Sequence, residues 1–186
     1  MKSTHPWIYA PIFAVLTAAG AWLAIPIDPV PITLQTLFVT LAGLLLAPAQ
    51  AALAMGLYVL MGVVGLPVFS DGKSGLGVLT GPTGGYLVGF IVAAWVMALL
   101  SVKWRAGTVD NKRLPLMVGA IAVATVGTVL IVGMGSTWGK VSTGSSWGEI
   151  WNGWIAPFIP GAVLKIVAAG VIAAELWRVD SRWIPR

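Results

Sequence analysis

The sequence predicts an all-α fold: a polytopic membrane protein, six transmembrane helices packed in one bundle, forming a single domain over residues 1–186. Three observations carry this reading. Charged residues make up 9% of the chain and hydrophobic residues 58%, whereas a soluble globular protein is about 25% charged. Six apolar segments recur, at residues 7–25, 33–47, 49–64, 83–102, 114–134 and 156–176. Lys and Arg are divided unequally between alternate connections, as expected of loops on opposite sides of a bilayer.

The first segment is read as an uncleaved helix. Lys2 and the small run Ala19-Gly20-Ala21 resemble a signal peptide, but the apolar stretch exceeds the ~7–15 residues of a signal core. Ala10, Ala14 and Ala18 repeat at four-residue spacing along it. Such a stripe lets another helix approach closely, either inside the bundle or on a docked membrane protein. The second and third segments meet at Pro48, which predicts a hairpin or a broken helix. Both fall short of the ~20 residues of a full span, so tilt or local bilayer thinning is expected. Pro82 opens the fourth segment, and Pro157 and Pro160 open the sixth, consistent with the preference of proline for a first helical turn.

Six spans place both termini on one side. That side carries Lys2, Lys103, Arg105, Lys112, Arg113, Arg178, Arg182 and Arg186; the other carries Lys73 and Lys140. The basic-rich side is cytoplasmic by the positive-inside rule. The net charge of +5 is therefore topological, and nucleic acid is not a partner. Trp7, Trp104, Trp177 and Trp183 fall near the inner interface, and Trp138, Trp147, Trp151 and Trp154 near the outer one. They read as an interfacial belt, with Trp147 or Trp151 the alternative lid of an apolar ligand.

Composition also excludes chemistry. The chain has no cysteine, and its one histidine, His5, lies in the N-terminal tail. No thiolate, metal cluster or nucleophile–base pair is available within the spans, so an intramembrane enzyme is not expected, nor is a metal or cofactor. Gly72-Lys73-Ser74 is not a phosphate loop, because Pro67 stands where the pattern requires glycine.

The binding chemistry centres on Lys165. It is the only charge in residues 154–174, and a lone cation at such depth costs ~2.5–3.5 kcal/mol. Glu175 is ten residues away, roughly 15 Å along a helix. A bound anion is the expected partner, aided by amide groups at a helix start near Gly161. Thr33 and Gln35 are polar groups at the mouth of an apolar segment. Thr33 also suits an N-cap, whereas Gln35 needs a buried partner. Phe69 and Tyr86 can wall an apolar ligand, and Gly84-Gly85 permit close backbone approach. Gly85 and Gly89 equally suit helix packing. The Gly- and Pro-rich connections 26–32, 66–82 and 135–155 lie on the outer face, which places the site there.

Four stretches occur in order along the chain: 31–36 (PITLQT), 65–69 (GLPVF), 81–86 (GPTGGY) and 157–165 (PFIPGAVLK). Together they resemble the biotin-specific S component of energy-coupling-factor (ECF) transporters, the BioY family. The resemblance implies a six-helix subunit in a prokaryotic plasma membrane that captures biotin from outside the cell, with Lys165 on the carboxylate. Thr33, Gln35, Phe69, Gly84, Tyr86 and Trp151 are the further expected substrate contacts. It also implies a separate transmembrane coupling protein and an ATPase pair, with Ala10, Ala14 and Ala18 as the docking surface. Membrane lipid surrounds the protein, and a homo-oligomer fits equally. One departure stands out: Ala162 occupies the position where the family pattern has Asp, three residues before Lys165. That keeps open a second reading, an S component for another vitamin or small organic anion.

Overall fold

The computed structural model describes residues 6–25, 30–107 and 113–179. Lys2, His5, Lys112, Arg182, Trp183 and Arg186 lie outside the described residues, as do residues 26–29 of the first connection. A 3-10 turn at Pro6–Ile8 leads into α1 (Tyr9–Trp22). Two short strands, β1 (Ala24–Ile25) and β2 (Ile32–Thr33), pair antiparallel with Ala24 opposite Thr33. Then follow α2 (Gln35–Leu45) and α3 (Pro48–Val63), the small helix α4 (Leu76–Thr80), α5 (Gly84–Gly107) and α6 (Arg113–Thr143). The chain closes with α7 (Trp147–Ile150), a π turn at Trp151–Ile155, a 3-10 turn at Ala156–Phe158 and α8 (Ile159–Val179).

Three of these stretches, α5, α6 and the run from α7 through α8, are long and apolar enough to cross a membrane, and α1, α2 and α3 are shorter apolar helices. Large apolar side chains point outward on several of them: Val15 is 59% exposed, Leu60 55%, Val129 65% and Leu164 71%. In water such a surface drives association; against lipid it is the ordinary exterior of a multi-pass helical membrane protein. The break between α2 and α3 comes from Pro48 at the first turn of α3, where its missing N–H costs nothing. Gln50 completes that end, its Oε1 accepting the Ala47 N–H at 3.2 Å.

Glycines set how closely the long helices pack. A Cβ on Gly85 would lie 2.2 Å from Trp138 Cβ and 2.7 Å from the Met134 carbonyl oxygen, so α5 and α6 touch nearly backbone to backbone. At Gly127 a Cβ would meet the Met97 sulfur at 2.1 Å. Packing is thus the role of Gly85, and a Cβ on Gly89, one turn on, would lie 3.4 Å from Ile131.

Several expectations require correction. The fifth segment does not stop at residue 134: α6 runs on to Thr143, with Gly135 and Gly139 seating the Tyr86 and Trp154 rings against it. The stretch 135–155 is therefore largely helical rather than loop. The stripe Ala10, Ala14 and Ala18 faces inward at 0%, 1% and 9% exposure. It lets α1 pack on its neighbours α3 and α2 and is not a free docking surface. Trp154 and Trp177 are buried at 4% and 3%, so they leave the interfacial belt for the bundle, Trp177 lying under the Arg105 guanidinium at 4.7 Å. Trp7, Trp104, Trp138, Trp147 and Trp151 are exposed.

One end of the bundle carries a compact charge group. Glu175 pairs with Arg113 at 2.5 Å and Arg178 at 3.1 Å, tying α6 to α8. Lys140 lies at the opposite end of α6, with its ammonium 5.4 Å from the Trp147 ring.

Gly85→Val is expected to lower the thermal unfolding midpoint in detergent, because a backbone oxygen cannot move aside as a side chain can. Overpacking of this kind costs about 1–3 kcal/mol. A midpoint equal to that of the unaltered protein would contradict the close α5–α6 contact.

Candidate substrate site

A cavity of ≈ 100 Å³ lies between the first turns of α2, α5 and α8 and the middle of α6, beside the 64–83 connection. Its wall is mostly apolar, with Phe69, Val78, Leu87, Phe90, Ile131 and Phe158 among its lining residues. Polar groups come from Thr33, Gln35, Thr36, Ser70, Lys73, Thr83, Thr128 and Lys165.

The polar side of the cavity is built around Gln35 in the first turn of α2. Its Oε1 accepts the Thr33 hydroxyl at 2.8 Å and the Ser70 hydroxyl at 3.0 Å. Its Nε2 donates to the Tyr58 hydroxyl of α3. The Thr33 hydroxyl in turn accepts the Gln35 backbone N–H at 3.3 Å, which satisfies one of the free amides of the helix start. Gln35 is 4% exposed and Thr33 8%, so these bonds are what make their burial tolerable. Leu34, not Thr33, is the N-cap of α2, so Thr33 serves as a bracket for Gln35.

Lys165 reaches the same corner from α8. Its Nζ donates to the Thr33 carbonyl at 2.9 Å. An ammonium carries three donors, so two N–H groups remain. Among the described residues no carboxylate pairs with it, since Glu175 is held by Arg113 and Arg178. The helix start contributes fewer free amides than the proline pattern suggests. The Ile159 N–H is taken by the Ala156 carbonyl, Pro160 has none, and the preceding residues are already helical. Positive charge on this wall therefore comes chiefly from the Lys165 side chain. Ala162, one turn earlier, also lines the cavity.

Aromatic packing fixes the remaining walls. Phe69 is 2% exposed and meets the Tyr58 ring edge-on at 5.7 Å. It sits over Gly62, where a Cβ would come within 2.1 Å of its ring. Tyr58 also packs on Phe90 at 6.3 Å. Tyr86, which also lines the cavity, stacks on Trp154 with ring centres 6.5 Å apart, and its hydroxyl donates to the Trp154 carbonyl at 3.2 Å. The 64–83 connection is pinned by Gly75 N–H to Gly62 carbonyl at 2.7 Å and by Trp22 Nε1 to Pro67 carbonyl at 3.2 Å.

The structure thus brings Lys165, Thr33, Gln35, Phe69 and Tyr86 to one cavity. It leaves out two expected contacts. Gly84 packs against α4, where a Cβ would fall 1.7 Å from the Leu79 carbonyl oxygen. Trp151 is 53% exposed and is not among the lining residues, because the π turn directs Trp154 inward instead. Sequence reasoning missed Thr36, Ser70, Phe158 and the supporting Tyr58. A lone tyrosine within the apolar run of α3 was the one available signal for the last. The arrangement suits capture of an amphipathic molecule with an anionic group, a neutral polar end and an apolar body.

The chain is similar to known proteins over nearly its whole length. The model of the BioY family matches residues 1–182. The biotin transporter BioY of Thermotoga maritima is 37% identical over 173 residues, spanning 93% of this chain and 96% of that protein. The biotin transporter BioY of Rhodobacter capsulatus is also 37% identical, covering 88% of this chain and 87% of its own length. A solved structure, the S-component for biotin from an ECF-type ABC transporter, superposes with a TM-score of 0.84 at 23% identity, over 96% of each chain. Its fold is therefore that of an S component. With the family model spanning nearly the whole sequence, the helical membrane protein described above belongs to the BioY family of transport proteins.

Proposed function

We propose that this chain is the substrate-capture subunit of a biotin uptake system, with the Lys165 ammonium anchoring the ligand carboxylate. The observation that carries this is the pairing of chemistries in one cavity. A cation with unused donors and no acidic partner among the described residues faces apolar and aromatic walls and a hydrogen-bonded amide. Biotin has a carboxylate, an apolar ring body and a neutral ureido group, one for each. The names of the BioY relatives support the same ligand.

The protein sits in the cell membrane with both termini cytoplasmic and the cavity mouth outside; the grouping of Lys103, Arg105, Arg113 and Arg178 at one end supports that orientation. Energy comes from elsewhere. The solved relative belongs to an ECF-type ABC transporter, which supports a separate membrane coupling protein and an ATPase pair beside this chain. The buried alanine stripe of α1 takes no part in that docking. A second reading is favoured by Ala162, which lines the cavity where the family pattern carries Asp: the ligand is then another small organic anion that shares the carboxylate.

Titration of the purified protein separates these readings. Biotin is expected to bind at one site per chain, and biotinamide, which has lost the negative charge, to bind roughly 10- to 100-fold more weakly, the worth of a charge-assisted hydrogen bond. In Lys165→Ala that difference should vanish. A full difference retained in the variant would remove Lys165 from the carboxylate, and absence of saturable biotin binding would favour the other anion.

Reconstituted alone in vesicles, the protein is expected to bind biotin without hydrolysing ATP or concentrating the vitamin. Accumulation should appear only when a coupling protein and ATPases are added. ATP-driven accumulation by this chain alone would overturn the subunit assignment.

A further inference from the structure

Thr36 has a hydroxyl that the fold itself leaves unused. Among the described residues, two buried side-chain polar atoms have no hydrogen-bond partner, Thr36 Oγ1 and Trp177 Nε1. Of these two residues, Thr36 lines the cavity. Threonines elsewhere in the bundle return their hydroxyls to the carbonyl four residues back: Thr17 to Phe13 at 2.8 Å, Thr40 to Thr36 at 2.7 Å and Thr125 to Ile121 at 2.9 Å. Thr36 lies in the first turn of α2, and residue 32 belongs to β2. No helical carbonyl stands behind it.

A hydroxyl shut away without a partner costs about 1–3 kcal/mol, and valine would fill the same space without that cost. The neighbouring Gln35 narrows what completes it. Gln35 Oε1 already accepts from Thr33 and Ser70, while Nε2 spends one hydrogen on Tyr58. An amide nitrogen carries two, so one N–H donor remains beside one hydroxyl able to accept or donate. That pair suits a neutral group with a carbonyl flanked by N–H, and suits a carboxylate less well, since Lys165 supplies the cation.

The geometry points to Thr36 as a specificity-determining contact that accepts a hydrogen bond from an N–H of the ligand's ureido ring. The inference rests on the biotin reading above and assigns the neutral end of the ligand to the first turn of α2, with the carboxylate end at Lys165. The hydroxyl then rejects ligands lacking the N–H, because they leave it stranded.

Equilibrium titrations with biotin and with biotin methylated at a ureido nitrogen test this, using unaltered protein, Thr36→Val and Thr36→Ser. Thr36→Val should raise the Kd for biotin roughly 5- to 100-fold, following the cost of a lost buried partner. Thr36→Ser should stay within a few-fold of the unaltered protein. The penalty for methylation should also shrink in Thr36→Val. If Thr36→Val does not fold, Thr36→Ala against Thr36→Ser reads the same hydroxyl. Equal biotin affinity with and without the hydroxyl, or an undiminished methylation penalty, overturns the inference and leaves water as its partner. Failure of the unaltered protein to bind biotin at all overturns the biotin reading instead.

Discussion

One hydrogen bond, from Lys165 Nζ to the Thr33 carbonyl, joins parts of the chain that lie 132 residues apart. In a bilayer a polar group has only the protein, or a ligand, to satisfy it. A lysine placed deep in α8 must therefore find an acceptor, and the corner between β2 and α2 supplies one. That corner is itself held by Gln35, which bonds Thr33, Ser70 and Tyr58. Four segments of chain meet on this network: the β2–α2 corner, α3, the 64–83 connection and α8. The cavity is the space the network leaves unfilled.

The network needs a rigid frame, and the long helices provide it through close contact rather than large side chains. The Gly85 approach to Met134 and Trp138, and the Met97 side chain seated at Gly127, fix α5 on α6. Between helices in lipid there is little hydrophobic driving force, so packing of this kind carries the association. The same small-residue logic turns the alanine stripe of α1 inward. It also opens room at Gly135 and Gly139 for the Tyr86 and Trp154 rings, and of these two Tyr86 lines the cavity. Packing and site construction are one feature here, since the glycines that let helices touch also let aromatic rings enter.

Much of the site was legible before the fold. Lys165 drew attention as a lone charge in an apolar run, and Gln35 as an amide at a helix mouth; both line the cavity. Such residues stand out because lipid penalises them unless they are paired. Gly84 and Trp151 do not line the cavity, and the reason is related. A glycine pair and an exposed tryptophan each suit several roles, and sequence spacing does not tell a packing glycine from one that faces a ligand. The π turn at Trp151–Ile155 shifts the helical register and brings Trp154 inward, an offset that regular helix periodicity does not foresee. Helix α7 was missed although Ser146 and Glu149 form a capping box, a signal obscured by the Gly-rich run around it.

By itself the sequence determined the all-helical membrane character, the six apolar segments and the need for a partner at Lys165. Each of these follows from the cost of exposing charge or backbone to lipid, which depends on composition and run length alone. The tertiary structure decided which acceptor Lys165 takes, which way the alanine stripe faces and which tryptophans are buried in the bundle. These depend on distances between segments far apart in the chain, set by where glycines let helices approach. It also isolated Thr36, whose hydroxyl has no hydrogen-bond partner among the described residues and follows a strand rather than a helical turn.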